Sequence, residues 1–382
     1  MVSYLYPFKL IMRFYLSILL FLLLPFVGSA ANGLDYKILK IADRVFYNTH
    51  KPTIKVAVYN NHSIDKFSGS VVCRVEKYNG EHVFDFSQDF FVTPMDSSIL
   101  SFTFGLEKGF YKVSLIADDV VKEKVVMAYE PELTGSSADP HFDAERYYGA
   151  AFVQHERLPM SSTFEKVKKT GGKLRNVYEI TVKSIGGKTF EGYFVAPKKS
   201  GVYPVVITCT DKNEVLAIPE IDAYSDRIDL VISPRRALIH NDNYYISAYM
   251  DIIRAIDFVY GRKDVDLKNI CLQGVGSGGA MVLAAAALDK RVAAVSVYAP
   301  GYSNESVLDK VKHYEAKHLS GQIECPVIMG VGLEDTVCTP IDNFEIYNPI
   351  KGRKEYYIFI QDHCPPAEWR EITDNFYLKH KR

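Results

Sequence analysis

Ile270-Cys271-Leu272-Gln273-Gly274-Val275-Gly276-Ser277-Gly278-Gly279, with Ala284-Ala285-Ala286-Ala287-Leu288 close behind it, decides the fold. A short apolar run reads as a buried strand. The glycines that follow permit a tight turn, and the alanine-rich segment is strongly helix-forming. Strand, turn and helix are thus written in one line. Working outward, the same alternation recurs. Strands are expected at 205–209, 229–233, 293–298, 327–331 and 356–360, and helices at 244–260, 279–288 and 342–347. Such alternation implies an α/β fold, a mostly parallel sheet covered by helices on both faces. The functional crevice of such a sheet lies beyond the carboxyl ends of its strands. The residues to watch are therefore those just after Cys209, Ser233, Gln273, Val331 and Ile360.

Upstream the pattern changes. Two further strands, 177–185 and 189–196, flank Gly186-Gly187 and open the α/β domain, assigned to residues 177–382. Residues 34–130 read as all-β. Ile54, Val56 and Val58 alternate with Thr53, Lys55 and Ala57, the period of a half-buried strand. Asn79-Gly80 has the chemistry of a hairpin turn. Short strands at this spacing predict an immunoglobulin-like β-sandwich, with an orienting role preferred over a sugar-binding one. Residues 131–176, which begin rich in Pro, Gly and Ser, are assigned to a linker and helical connection.

At the N-terminus, Lys9 and Arg13 precede the apolar run 14–27, and Gly28-Ser29-Ala30 supplies small residues. That order is a secretory signal, so residues 1–30 predict export to the periplasm or beyond. No membrane attachment is expected after cleavage. A net charge of -1 gives no basic surface for nucleic acid.

The strand ends carry a family resemblance. Residues 264–266, the glycine string and the alanine helix resemble the nucleophile elbow of acetyl xylan esterases and cephalosporin-C deacetylases, which are α/β-hydrolases. Gly332-Leu333-Glu334-Asp335-Thr336-Val337-Cys338-Thr339-Pro340 resembles that family's acid loop, and Phe344, Tyr347-Asn348 and Gly352 continue it. Tyr244-Tyr245, Asp251 and Arg254-Ala255 resemble the helix before the elbow. The resemblance implies hydrolysis of acetyl esters on carbohydrate. In that chemistry a serine attacks, a histidine takes its proton, and a carboxylate orients the histidine. Backbone N–H groups hold the oxyanion.

This chain departs from the family's text at four places. Gapless alignment of the elbow puts Gly276 at the nucleophile position, within the small residues Gly274, Gly278 and Gly279, and Ser277 one place later. Cys364 stands where the family has its histidine, with His363 one residue early. The oxyanion loop reads Cys209-Thr210-Asp211-Lys212 where the family has His-Gly and an aromatic. Ser233-Pro234-Arg235-Arg236-Ala237 stands for the family's Arg-Gly-Gln-Gly. Asp335 is in register. Two readings follow: an exported esterase-like protein with impaired or absent activity, or an active acetyl esterase using Ser277, His363 and Asp335. The expected partners are acetylated carbohydrate or another polysaccharide-processing protein.

Other chemistries are weaker. Gly274, Gly276 and Gly279 have dinucleotide-binding spacing but sit late in the sheet rather than at its first βα turn. His240, Asp242, His313 and His318 are too scattered for a metal site. Neither a cofactor nor a metal is expected. Arg235 and Arg236 offer guanidinium groups for an acidic sugar. Cys338 and Cys364 fall on loops that this fold brings together, which suggests one disulfide between them.

Overall fold

The computed structural model describes residues 33–39, 44–47, 51–211, 214–234, 243–302 and 315–382. The signal segment and Arg235, Arg236, His240, Asp242 and His313 lie outside the described residues. No helix among those described is long and apolar enough to cross a membrane.

Among the described residues eight strands come first: β1 (Leu34–Ile38), β2 (Val45–Phe46), β3 (Thr53–Asn60), β4 (Phe67–Lys77), β5 (His82–Val92), β6 (Ser97–Thr103), β7 (Gly109–Ala117) and β8 (Val120–Tyr129). They form a sheet of order β1-β3-β6 and another of order β2-β8-β7-β4-β5. The alternation read in the sequence does its work here. Ile54, Val56 and Val58 of the first sheet bury against one core with Val71, Val75, Val113 and Leu115 of the second. This two-sheet layer also touches the rest of the molecule, where Phe110 meets Phe344 at 5.5 Å between ring centroids.

The connection that follows is more ordered than a linker. It holds helix α1 (Ala144–Glu156), capped by Asp143, whose side chain accepts from Arg146 N. Strand β9 (Ser162–Gly171) follows it. This strand pairs antiparallel with β10 (Arg175–Lys183) and forms the edge of the main sheet. The boundary expected at 177 is therefore too late by a whole strand. The reason is physical: Ser-Thr-Phe-Glu-Lys-Val-Lys-Lys-Thr-Gly is too polar to read as a buried strand, yet lysine-rich text is what protects an exposed edge from further pairing.

The main sheet continues through β11 (Thr189–Pro197), β12 (Tyr203–Cys209), β13 (Ile228–Ser233), β14 (Val265–Val275), β15 (Ala294–Tyr298), β16 (Val327–Gly332) and β17 (Lys354–Phe359). Its order is β17-β16-β15-β14-β12-β13-β11-β10-β9. From β13 to β17 neighbouring strands are parallel. The chain leaves β12 for β13 on one side and returns to β14 on the other. That reversal is a topological switch point, where a crevice opens beyond the strand ends.

Helices α2 (Asn243–Tyr260) and α3 (Gly276–Leu288) pack on this sheet, followed by α4 (Ala316–Ser320), α5 (Pro340–Tyr347) and α6 (Trp369–Lys379). Residues 276–287 of α3 are all buried. A helix without a polar face must be enclosed, and its small side chains let neighbours approach closely. Arg254 of α2 is buried too, and donates to the carbonyls of Leu158 and Pro159 at 2.8 and 2.7 Å.

Candidate active site

Register places the crevice's two sides. Cys209 of β12 pairs with Gly274 of β14, so residues 211 and 276 emerge side by side. Gly332 of β16 pairs with Phe359 of β17, and the loops beyond carry Asp335 and His363. Gly332 is required there, because a Cβ on it would lie 2.3 Å from the carbonyl oxygen of Asp362.

The acid–base side is assembled. His363 Nδ1 lies 2.8 Å from Asp335 Oδ2. Asp335 is fully buried, and its other oxygen accepts from the N–H groups of Val337 and Cys338 at 2.7 and 2.9 Å. The next helix is capped by Thr339 instead, leaving Asp335 to orient the imidazole. The Asp335 hydrogen bond raises the His363 pKa above its ordinary value. Burial opposes this, and the charges of Asp335, Asp211 and Asp362 reinforce it. The one-residue slip is absorbed by the loop, and His363, not Cys364, faces the acid.

The elbow side has a turn with glycine at its centre. Gly276 has φ +56°, the left-handed region, while Ser277 is not among the residues of positive φ. A Cβ on Gly274 would lie 2.5 Å from the backbone carbon of Gly278, and one on Gly278 would lie 2.4 Å from the Cys209 carbonyl oxygen. The small residues that such a turn demands therefore flank position 276 at two places either side. This centres the elbow on Gly276. A Cβ there would lie 2.7 Å from His363 Nε2, in the place from which a nucleophile would hand over its proton.

Ser277 sits one step along, 2% exposed, and its Oγ donates to Asp211 Oδ2 at 3.0 Å. Its backbone N–H, which in this architecture stabilises an oxyanion, donates to the same carboxylate oxygen at 2.9 Å. Nor do the described amides of the β12 loop, those of Thr210 and Asp211, stand open. Thr210 N–H donates to the Ile232 carbonyl at 3.0 Å and Asp211 N–H to the Glu214 carboxylate at 3.4 Å. The role of Asp211 was missed from sequence. Its presence in a loop expected to read His-Gly-aromatic was the signal, but not where its carboxylate would reach.

The β-sandwich touches this site from outside. Tyr78 donates its hydroxyl to the Asp335 carbonyl at 3.1 Å, and Arg44 pairs with Glu334 beside it.

The disulfide expected between Cys338 and Cys364 is not formed: the first is buried and the second exposed. Burial pushes the thiols of Cys73 and Cys271 up to about 12 and that of Cys325 to about 11, which keeps them unreactive. His318 accepts from Asp139 N–H and stacks on Phe142. No group of three or more His, Cys, Asp or Glu among the described residues could hold a metal ion.

Strand order, elbow and the acid–histidine pair define an α/β-hydrolase scaffold. The family model described as Acetyl xylan esterase matches residues 235–304 and 302–377. An acetyl esterase of Xylanibacter ruminicola is 26% identical over 326 residues, covering 71% of this chain and 74% of its own. The acetyl xylan esterase of Paenibacillus sp. R4 superposes with a TM-score of 0.59 at 21% identity, covering 65% of this chain and 96% of that one. Acetyl xylan esterase 1 of Thermoanaerobacterium sp. JW/SL YS485 gives 0.58 at 19%, over 66% and 98%. The resemblance to the acetyl xylan esterase family read from the sequence is thereby established.

Proposed function

We propose that this chain is an exported, acetyl-xylan-esterase-like protein of carbohydrate processing in which serine-esterase turnover is impaired or absent. Gly276 carries the reading. It holds the strained conformation of the elbow and faces His363 Nε2, yet has no side chain to attack an ester. Loss of the nucleophile alone costs on the order of 10⁶-fold in kcat in a serine hydrolase. With an acidic side chain on the oxyanion donor, a developing negative charge would meet repulsion as well. The partners this reading implies are acetylated carbohydrate or another polysaccharide-processing protein. The N-terminal sandwich, read as immunoglobulin-like, serves as the module that braces the acid loop through Tyr78 and Arg44.

The competing reading, Ser277 as nucleophile with His363 and Asp335, requires the serine to leave the Asp211 carboxylate. Turnover of p-nitrophenyl acetate by the purified chain separates the two. The expected result is no hydrolysis above background that either Ser277→Ala or His363→Ala removes. Hydrolysis abolished by both substitutions would overturn the proposal.

A further inference from the structure

The carboxylate of Asp211 lies at the centre of the site, and loss of catalysis does not by itself require it there. Its Oδ2 accepts two hydrogen bonds from one residue, the Ser277 N–H and Oγ–H. A Cβ on Gly276 would lie 2.3 Å from that same oxygen and 2.7 Å from His363 Nε2. Carboxylate and imidazole thus border, from two sides, the volume a nucleophile's side chain would fill.

Helix capping explains only part of this. A negative charge at the first turn of α3 is favourable, but a capping carboxylate has no need of glycine at the first helical position. Here any larger residue collides with it. Moreover, the N–H that meets this oxygen is that of the residue after position 276, and the edge of the proton-accepting histidine borders the same small volume from the other side.

We propose that Asp211 is an internal ligand: its carboxylate takes the place of the nucleophile's oxygen and the substrate's oxyanion, making the crevice a carboxylate-binding cradle of Ser277 and His363. Gly276 and Asp211 are then a matched pair, since the carboxylate reaches into the space that a side chain at position 276 would need. This rests on the reading that Gly276 holds the nucleophile position, and it names the ligand class of that site. When Asp211 is removed, the cradle takes a small free carboxylate; while Asp211 is present, its high effective concentration excludes one.

The test uses the full chain, with Asp211→Ala and the shape-conserving Asp211→Asn, and follows the His363 ring by NMR through a pH titration. The charges facing the ring are those of Asp335, Asp211 and Asp362. Both substitutions are expected to lower the His363 midpoint. Sodium acetate, compared with equal sodium chloride, raises it again in Asp211→Ala and leaves the unsubstituted chain unchanged. A midpoint indifferent to both substitutions, or an acetate effect equal with and without Asp211, would overturn the proposal. A second arm introduces Gly276→Ala in each background. The positive φ penalises alanine in both, so a smaller fall in Tm when Asp211 is alanine reports the carboxylate alone; equal falls contradict the pairing. Ester turnover dependent on Ser277 would sink the loss of catalysis without moving these readouts. Unmoved readouts in a chain without turnover would sink only the internal ligand.

Discussion

The two sides of the crevice differ in what they present. Beyond β16 and β17, Asp335 and His363 hold the geometry of a proton-accepting pair, with both carboxylate oxygens engaged. Beyond β12 and β14, the backbone of an elbow is complete, with glycine at its centre and the Asp211 carboxylate on the Ser277 N–H. The contrast separates shape from chemistry. Gly274 and Gly278 are fixed by backbone contacts that the fold itself needs. A side chain at position 276 is not among the contacts that hold the turn. Asp335 has a structural task as well, because the Val337 and Cys338 N–H groups depend on it.

Substitutions at each side sharpen that division. The largest effect is expected where shape alone is at stake. Gly278→Val drives a Cβ against two carbonyl oxygens, of Cys209 and Thr210, which are backbone and cannot turn away. It should cost about 3 kcal/mol or more by denaturant unfolding; a neutral result would mean the turn is not sterically defined. Next is Asp335→Ala, which leaves the Val337 and Cys338 N–H groups and His363 without their acceptor. A loss of about 2–3 kcal/mol is expected, showing that this side contributes to stability. Tyr78→Phe removes the sandwich's hydrogen bond to the acid loop. It should cost about 1 kcal/mol, with disturbance of His363 resonances marking the link between sandwich and site.

The smallest effect is a pH dependence. The folded His363 pKa lies above its ordinary value, chiefly through the Asp335 hydrogen bond. Its stabilisation is therefore fully present below about pH 6.5 and fades as pH rises through the raised folded value. The ring is partly exposed, so the contribution should stay below about 1 kcal/mol. Comparing urea midpoints across that range for the unsubstituted chain and His363→Gln isolates it, and parallel profiles would remove His363 as the titrating group.

Much of this was legible in the sequence because it rests on short-range patterns. Strand–turn–helix text at 270–288 marks the sheet's centre, and the alanine helix matches the family's text without a gap. The helix begins at Gly276 rather than 279, since glycine at a buried helix start looks like loop in a sequence. Strand β9 escaped because an edge strand is written in polar residues. The slip at His363 was visible but not its outcome, because loop conformation depends on contacts such as that of Gly332 with residue 362. Asp211 was hidden for the same reason. Its meaning lies in a hydrogen bond between residues 66 positions apart, and no local pattern encodes that.

The identity of position 276 is tested most directly by exposing the purified chain to a fluorophosphonate, which bonds to activated serines, and measuring intact mass. With glycine at the nucleophile position and Ser277 held by Asp211, the mass should remain that of the unmodified chain. A stoichiometric adduct mapping to Ser277 would contradict it and make this chain a working serine hydrolase.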